Sequence, residues 1–222
     1  MKSIFEQSKY IKNIDTPRFS NASISKINNS ISMKVSSFLN PQEIYNLDKD
    51  LNEGKMIYKQ NVNWDPNDYI VKQVWRKSKD GTDLPMWVIH HKNTNLDGRN
   101  PTWLTGYGGF YVSIKPSFNR NAIMWIERGG VFAVATLRGG SEYGERWHKS
   151  GMLLNKQNVF DDFISAGEWL IDNNYTSPDL LGIQGGSNGG LLVAAVTTQK
   201  PELFGAVLCG FPDLDILRFP WY

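Results

Sequence analysis

Leu180-Leu181-Gly182-Ile183-Gln184-Gly185-Gly186-Ser187-Asn188-Gly189-Gly190-Leu191-Leu192-Val193-Ala194-Ala195-Val196 is the stretch that decides the fold. A short apolar run leads into Gly-x-Ser-x-Gly. A longer run containing Ala and Leu follows and is stopped by Pro201. The first run fits a buried strand and the second a helix. A serine on a tight turn between strand and helix is a nucleophile elbow. Such a turn forces strained backbone angles, which glycines tolerate at little steric cost. Gly185 and Gly189 also leave no side chain between the turn and its neighbours. The Ser187 hydroxyl then stands open at the carboxyl end of the sheet. The N–H groups that open the helix point the same way, so the Asn188 amide can meet a developing oxyanion. A phosphate loop is the competing reading, but no Lys follows the glycines, and G-x-G-x-x-G with its downstream acid is absent.

Outward from the elbow, strands and helices alternate. Thr102–Thr105 reads as a strand ending in Gly106-Tyr107-Gly108-Gly109-Phe110. Ser117–Arg128 fits a helix with Phe118, Ala122, Trp125 and Ile126 inward, closed by Gly129-Gly130. Val131–Ala135 is an uninterrupted apolar strand, as expected in a parallel sheet covered on both faces. Phe160–Asn173 reads as a helix buried through Phe160, Phe163, Ile164, Leu170 and Ile171, and Phe204–Leu208 as a last strand. This alternation predicts an α/β fold with a mainly parallel sheet. Before it, residues 69–92 read as a hairpin around Asp80-Gly81.

Residues 1 to about 64 differ in texture, being rich in Asn, Ser, Lys and Ile. Ile31–Ser36 alternates with period two after a turn at Asn28-Asn29. Glu43–Leu47 and Lys55–Tyr58 are further short strands, with turns at Asn40-Pro41 and Glu53-Gly54. A small antiparallel meander is expected, and alone it would bury only one face.

The chain has 222 residues, 41% hydrophobic and 21% charged, enough for one large domain or one and a piece of another. A net charge of +2 gives no case for nucleic acid as a partner. The Lys and Arg excess before residue 40 is dispersed, as on a solvated surface. The one cysteine, Cys209, excludes an internal disulfide and, in its apolar run, reads as a small core residue. His90 and His91 read as surface or edge residues of a hairpin strand. No run of ~18 apolar residues predicts a membrane span, and no apolar leader opens the chain. A cytoplasmic protein is expected.

Tyr107–Phe110, Arg138-Gly139-Gly140-Ser141-Glu142-Tyr143-Gly144, Trp147-His148, Asn155-Lys156-Gln157-Asn158, Phe160-Asp161-Asp162-Phe163, Tyr175-Thr176-Ser177-Pro178 and Gly185–Gly190 stand in order. That series resembles the prolyl oligopeptidase family of serine peptidases, closely over about residues 64 to 220 and more loosely before. The resemblance implies a partial α/β-hydrolase fold over residues 65–222, preceded over 1–64 by the last strands of a β-propeller. It implies Ser187 as nucleophile, the Asn188 backbone N–H as one oxyanion donor and the Tyr107 hydroxyl as the other. Tyr107 lies on the loop after an earlier strand, where α/β hydrolases place a second donor; a half-buried loop aromatic is the plainer reading. Phe110 matches a wall of the pocket for the residue before the scissile bond, with core packing as its alternative. His148 belongs to a Trp-His motif whose role in the family looks structural.

Two departures accompany the resemblance. The hydrolase order is Ser, then acid, then His, yet no histidine follows Ser187. The resemblance places the family's Asp and His beyond Tyr222, which makes that C-terminal stretch of the domain a partner of this one. Phe211-Pro212-Asp213-Leu214-Asp215 is unlike the apolar segment of proline-specific members, so strict cleavage after proline is not implied. The expectation is a serine oligopeptidase acting on short peptides through an acyl-enzyme on Ser187, incomplete as it stands, with no metal or cofactor. A non-catalytic remnant of a split gene, or an esterase or lipase on the same fold, are the other readings.

Overall fold

The computed structural model describes residues 19–27, 30–48 and 54–215. The chain divides into two compact units: Met1–Asp68 with Lys115–Ile123, and Tyr69–Ile114 with Met124–Tyr222.

The first unit carries an antiparallel meander of β1 (Asn21–Ile27), β2 (Ser30–Ser36), β3 (Glu43–Leu47) and β4 (Gly54–Lys59), paired in that order. The expected alternation holds. Met33 and Val35 of β2 and Leu47 of β3 are buried, with Ala22, Ile31 and Tyr45 packed against them. On β4, Met56, Ile57 and Tyr58 are exposed. The turn expected at Asn28-Asn29, and Glu53 of the second turn, lie outside the described residues.

The second unit is built on a six-stranded sheet. Its strands are β5 (Tyr69–Lys77), β6 (Asp83–His91), β7 (Thr102–Thr105), β8 (Val131–Ala135), β9 (Leu181–Gly186) and β10 (Ala206–Gly210). Their order across the sheet is β10-β9-β7-β8-β6-β5. The β5–β6 hairpin joins antiparallel to β8, and β8, β7, β9 and β10 are mutually parallel. All five residues of β8 are buried, as its apolar run requires. The hairpin turn is closed by Gly81 in the left-handed region (φ +84°).

The helices are α1 (Arg120–Glu127), α2 (Glu145–Lys149), α3 (Gln157–Asp172) and α4 (Asn188–Gln199). Helix α1 starts later than the sequence suggests because Asn119 caps it. The Asn119 Oδ1 accepts the N–H groups of Asn121 (2.9 Å) and Ala122 (3.3 Å). Trp125 does not face inward as expected. It is 36% exposed, its indole N–H turns back to the Val131 carbonyl (3.0 Å), and Ile123 is buried instead. Along α3, Val159, Phe163, Ala166 and Leu170 form the buried stripe, with Phe160 and Ile171 at its margins. This stripe packs in one core with Leu104, Val131, Ile183, Leu192 and Phe204.

Two readings of single residues are corrected. Cys209 is exposed, because β10 is the sheet's outer strand. His90 is buried, its Nδ1 donating to the His91 carbonyl (2.8 Å) and its ring set edge-on to Tyr175. Burial lowers its pKa. The last strand also starts two residues late, since Phe204 belongs to the core and follows a short 3-10 turn over Pro201–Leu203. Among the described residues no helix is long and apolar enough to cross a membrane.

Candidate active site

The parallel pairing decides what meets what. Thr105 of β7 lies opposite Gln184 of β9, and Gly210 of β10 lies opposite Gly186. The loops that follow these strands, and the loop after β8, therefore emerge at one end of the sheet, where ligands of open α/β sheets bind.

Ser187 sits between β9 and α4 with φ +55° and ψ −125°, backbone angles that cost a non-glycine residue ~1–3 kcal/mol. Two backbone bonds hold it there. Its N–H donates to the Gly210 carbonyl (3.1 Å), and its carbonyl accepts from Leu191 N–H (3.0 Å), the first turn of α4. Gly185 is obligatory, because a Cβ there would run into the Gly189 carbonyl. Asn188 is the first residue of α4, so its backbone N–H has no acceptor within the helix.

The loop after β7 is tied to this turn. The Asn188 Nδ2 donates to the Tyr107 carbonyl (2.5 Å). A Cβ on Gly109 would lie 2.6 Å from the same amide nitrogen, so only glycine lets the two segments close. A Cβ on Gly189 would lie 3.6 Å from Cδ2 of the Tyr107 ring, which places that half-buried ring beside the start of α4. Phe110 is not a core residue. It is 73% exposed, and with Tyr111 it takes a left-handed φ (+52° and +60°). Phe211 stands on the other side of the elbow, 83% exposed, its ring 3.4 Å from where a Gly186 Cβ would be.

None of the chain's histidines serves Ser187. His148 donates through Nδ1 to the Gly139 carbonyl (2.7 Å) and meets the edge of Tyr111, a holding role. His91 accepts the Asn93 N–H (3.1 Å), and His90 is occupied as described. Among the described residues the Ser187 hydroxyl makes no hydrogen bond, and no cluster of three His, Cys, Asp or Glu is placed to hold a metal ion. A cleft of about 410 Å³ lies elsewhere, lined by Lys77, Gln157, Glu168 and Gln199 among others, and includes neither Ser187 nor Tyr107.

Two features escaped sequence reading. Lys156 Nζ donates to the Gly108 carbonyl and to Asn188 Oδ1, both at 2.9 Å. A lone lysine among Asn155, Gln157 and Asn158 carries no local sign of that. The second is a buried charge network behind the loops. Arg138 pairs with the fully buried Asp162 and with Asp80, both at 2.5 Å. Ser78 Oγ donates to Asp162 Oδ1 (2.6 Å), and Arg76 donates to the Asp162 carbonyl (2.8 Å). Burial lowers the Arg76 pKa to about 10 against the attraction of Asp162. At Asp80, burial pushes the pKa up but is outweighed by hydrogen bonds from Arg138 and Thr82, leaving it at about 2.

Comparison with known proteins follows this geometry. Residues 116–222 match the model of the prolyl oligopeptidase family. The chain is 37% identical over 222 residues to the prolyl endopeptidase of Elizabethkingia meningoseptica, covering 99% of this chain and 32% of that protein. A solved post-proline cleaving enzyme from Rickettsia typhi superposes with a TM-score of 0.89 at 38% identity, over 94% of this chain and 31% of that one. Prolyl oligopeptidase B from Galerina marginata, solved with a 25mer macrocyclization substrate, gives a TM-score of 0.86 at 36% identity, over 91% and 29%. The chain spans about a third of the length of these relatives.

Proposed function

The chain belongs to the prolyl oligopeptidase family, and from that premise we propose that it carries the nucleophile half of a serine peptidase site. Ser187 attacks a peptide carbonyl to form an acyl-enzyme. The Asn188 N–H and the Tyr107 hydroxyl stabilise the oxyanion. Phe110 flanks the side chain before the scissile bond. Residues 65–222 are the opening part of an α/β-hydrolase domain. Residues 1–64 are the closing strands of a β-propeller, whose blades are four-stranded antiparallel sheets. The acid and the histidine come from a further stretch of the domain.

The observation that carries this reading is the strained backbone of Ser187 between β9 and α4, with the Tyr107 loop bonded to the next residue. Such strain persists where surroundings over-determine it and is typical of functional positions. The test is to mix the chain with the C-terminal stretch of the Elizabethkingia meningoseptica relative and assay a fluorogenic peptide amide. Turnover that needs both pieces and disappears in Ser187→Ala supports the proposal. Turnover that survives Ser187→Ala contradicts it. An ester cleaved where no peptide amide is would favour the esterase reading.

A further inference from the structure

Lys156 occupies a position where a lysine is costly. It is the N-cap residue of α3, where the helix dipole repels a cation and Ser, Thr, Asp or Asn is preferred. Its side chain is half-buried, and among the described residues no carboxylate pairs with it. Burial lowers its pKa to about 8, so it remains charged at neutral pH. The Phe160 ring lies 6.0 Å from the nitrogen. Against these costs stand two charge-assisted bonds, one to Gly108 of the loop after β7 and one to Asn188 of the elbow. Asn188 closes the ring by donating to Tyr107. Three chain segments far apart in sequence are thus joined at one nitrogen.

We propose that Lys156 is a positioning residue of the candidate site: it clamps the loop carrying Tyr107 onto Asn188 and so fixes both oxyanion donors relative to Ser187. This rests on the reading of Ser187 given above. Lys156 acts through Tyr107 and Asn188 and touches no reacting atom. Its removal lets the loop shift, and a displacement near 1 Å can cost ~10²-fold in rate. The expected loss is ~10–100-fold, below the ~10²–10³-fold of deleting an oxyanion donor outright.

The test compares the full chain, mixed with the C-terminal stretch of the Elizabethkingia meningoseptica relative, with Lys156→Met, which keeps the stem and removes the donors, and with Lys156→Arg, each in the same mixture. Phosphonylation of Ser187 by a fluorophosphonate is followed over concentration, separating kinact from KI, with Ser187→Ala as blank. Amide hydrogen exchange over residues 107–112 is read on the same samples. In Lys156→Met, kinact should fall ~10–100-fold with KI unchanged, and the 107–112 amides should exchange faster while those of β7–β9 stay protected. Lys156→Arg, which keeps charge and donors, should recover part of both. Wild-type kinact and exchange in Lys156→Met, or a loss confined to KI, would overturn the proposal. Should Lys156→Met not fold, Asn188→Ala decides. It removes both the oxygen that Lys156 holds and the donor to Tyr107, and unchanged exchange over 107–112 would overturn the clamp. If Ser187 of the wild-type chain does not react even with the C-terminal stretch of the relative present, the peptidase reading falls, while exchange still decides for or against the clamp.

Discussion

The two sheets of this protein are held in different ways. Among the described residues the meander β1–β4 closes over three buried side chains, Met33, Val35 and Leu47. The α/β sheet has its central strands buried and a core that runs from Val88 and Leu104 to Leu192 and Phe204. Behind it sits the Arg138–Asp162 network, satisfied on nearly every polar atom; Arg76 Nε is the exception. The difference teaches where chemistry can be placed. A strained serine and loops that must stay registered to fractions of an ångström need a scaffold that does not yield. The candidate site stands at one end of the larger sheet.

The comparison breaks most visibly at Asp162. Replacing it with Ala takes the buried carboxylate away from Arg138 and Arg76 and leaves Arg138 only the more exposed Asp80, a loss of ~3–5 kcal/mol. Urea unfolding should show it, and loops at the site end of the sheet should lose protection with it. Met33→Ala should cost ~2–5 kcal/mol in the meander. Hydrogen exchange should then rise in β1–β4 while amides of β7–β9 remain slow; equal acceleration in both sheets would erase the distinction. Gly185→Ala sharpens it, because the methyl meets the Gly189 carbonyl. About 1–3 kcal/mol is expected from overpacking, with labelling of Ser187 lost even in molecules that stay folded.

The smallest effect is a pH dependence. The Lys156 ammonium falls from an ordinary 10.5 to about 8 in the fold through burial. Between those values the unfolded chain holds a proton that the folded chain has released, so stability rises with pH. The melting temperature of the wild type should therefore gain on that of Lys156→Met from pH 8 to 10.5 and run parallel to it below pH 8. Parallel curves throughout would mean that Lys156 is not buried as described.

Much of this was legible from residue order. The elbow, the apolar β8, the Asp80-Gly81 hairpin and the α3 stripe all follow from period and turn chemistry. The misreadings share one cause. Cys209, Trp125 and His90 were assigned by local texture, while their exposure depends on position in the sheet or on a partner distant in sequence. Cys209 looks like core until β10 proves to be the outer strand, and His90 looks like an edge residue until Tyr175 covers it. Lys156 and Asp162 stand in the quoted motifs, but their bonding does not show there for the same reason: their partners lie 20 or more residues away and are mostly backbone atoms or charges with no sequence signature.

The central claim is that Ser187 is a nucleophile whose acid–base partners are not among the residues around it. The direct measurement is turnover of a fluorogenic peptide amide by the purified chain alone and with the C-terminal stretch of a relative. A serine hydroxyl is a weak nucleophile without an adjacent base, whose help is typically ~10²–10⁴-fold. The account predicts slow or no turnover by the chain alone, and activity that appears on adding the second piece and vanishes in Ser187→Ala. Rapid turnover by the chain alone, abolished by Ser187→Ala, would contradict it, since a base would then have to exist among residues where none is seen.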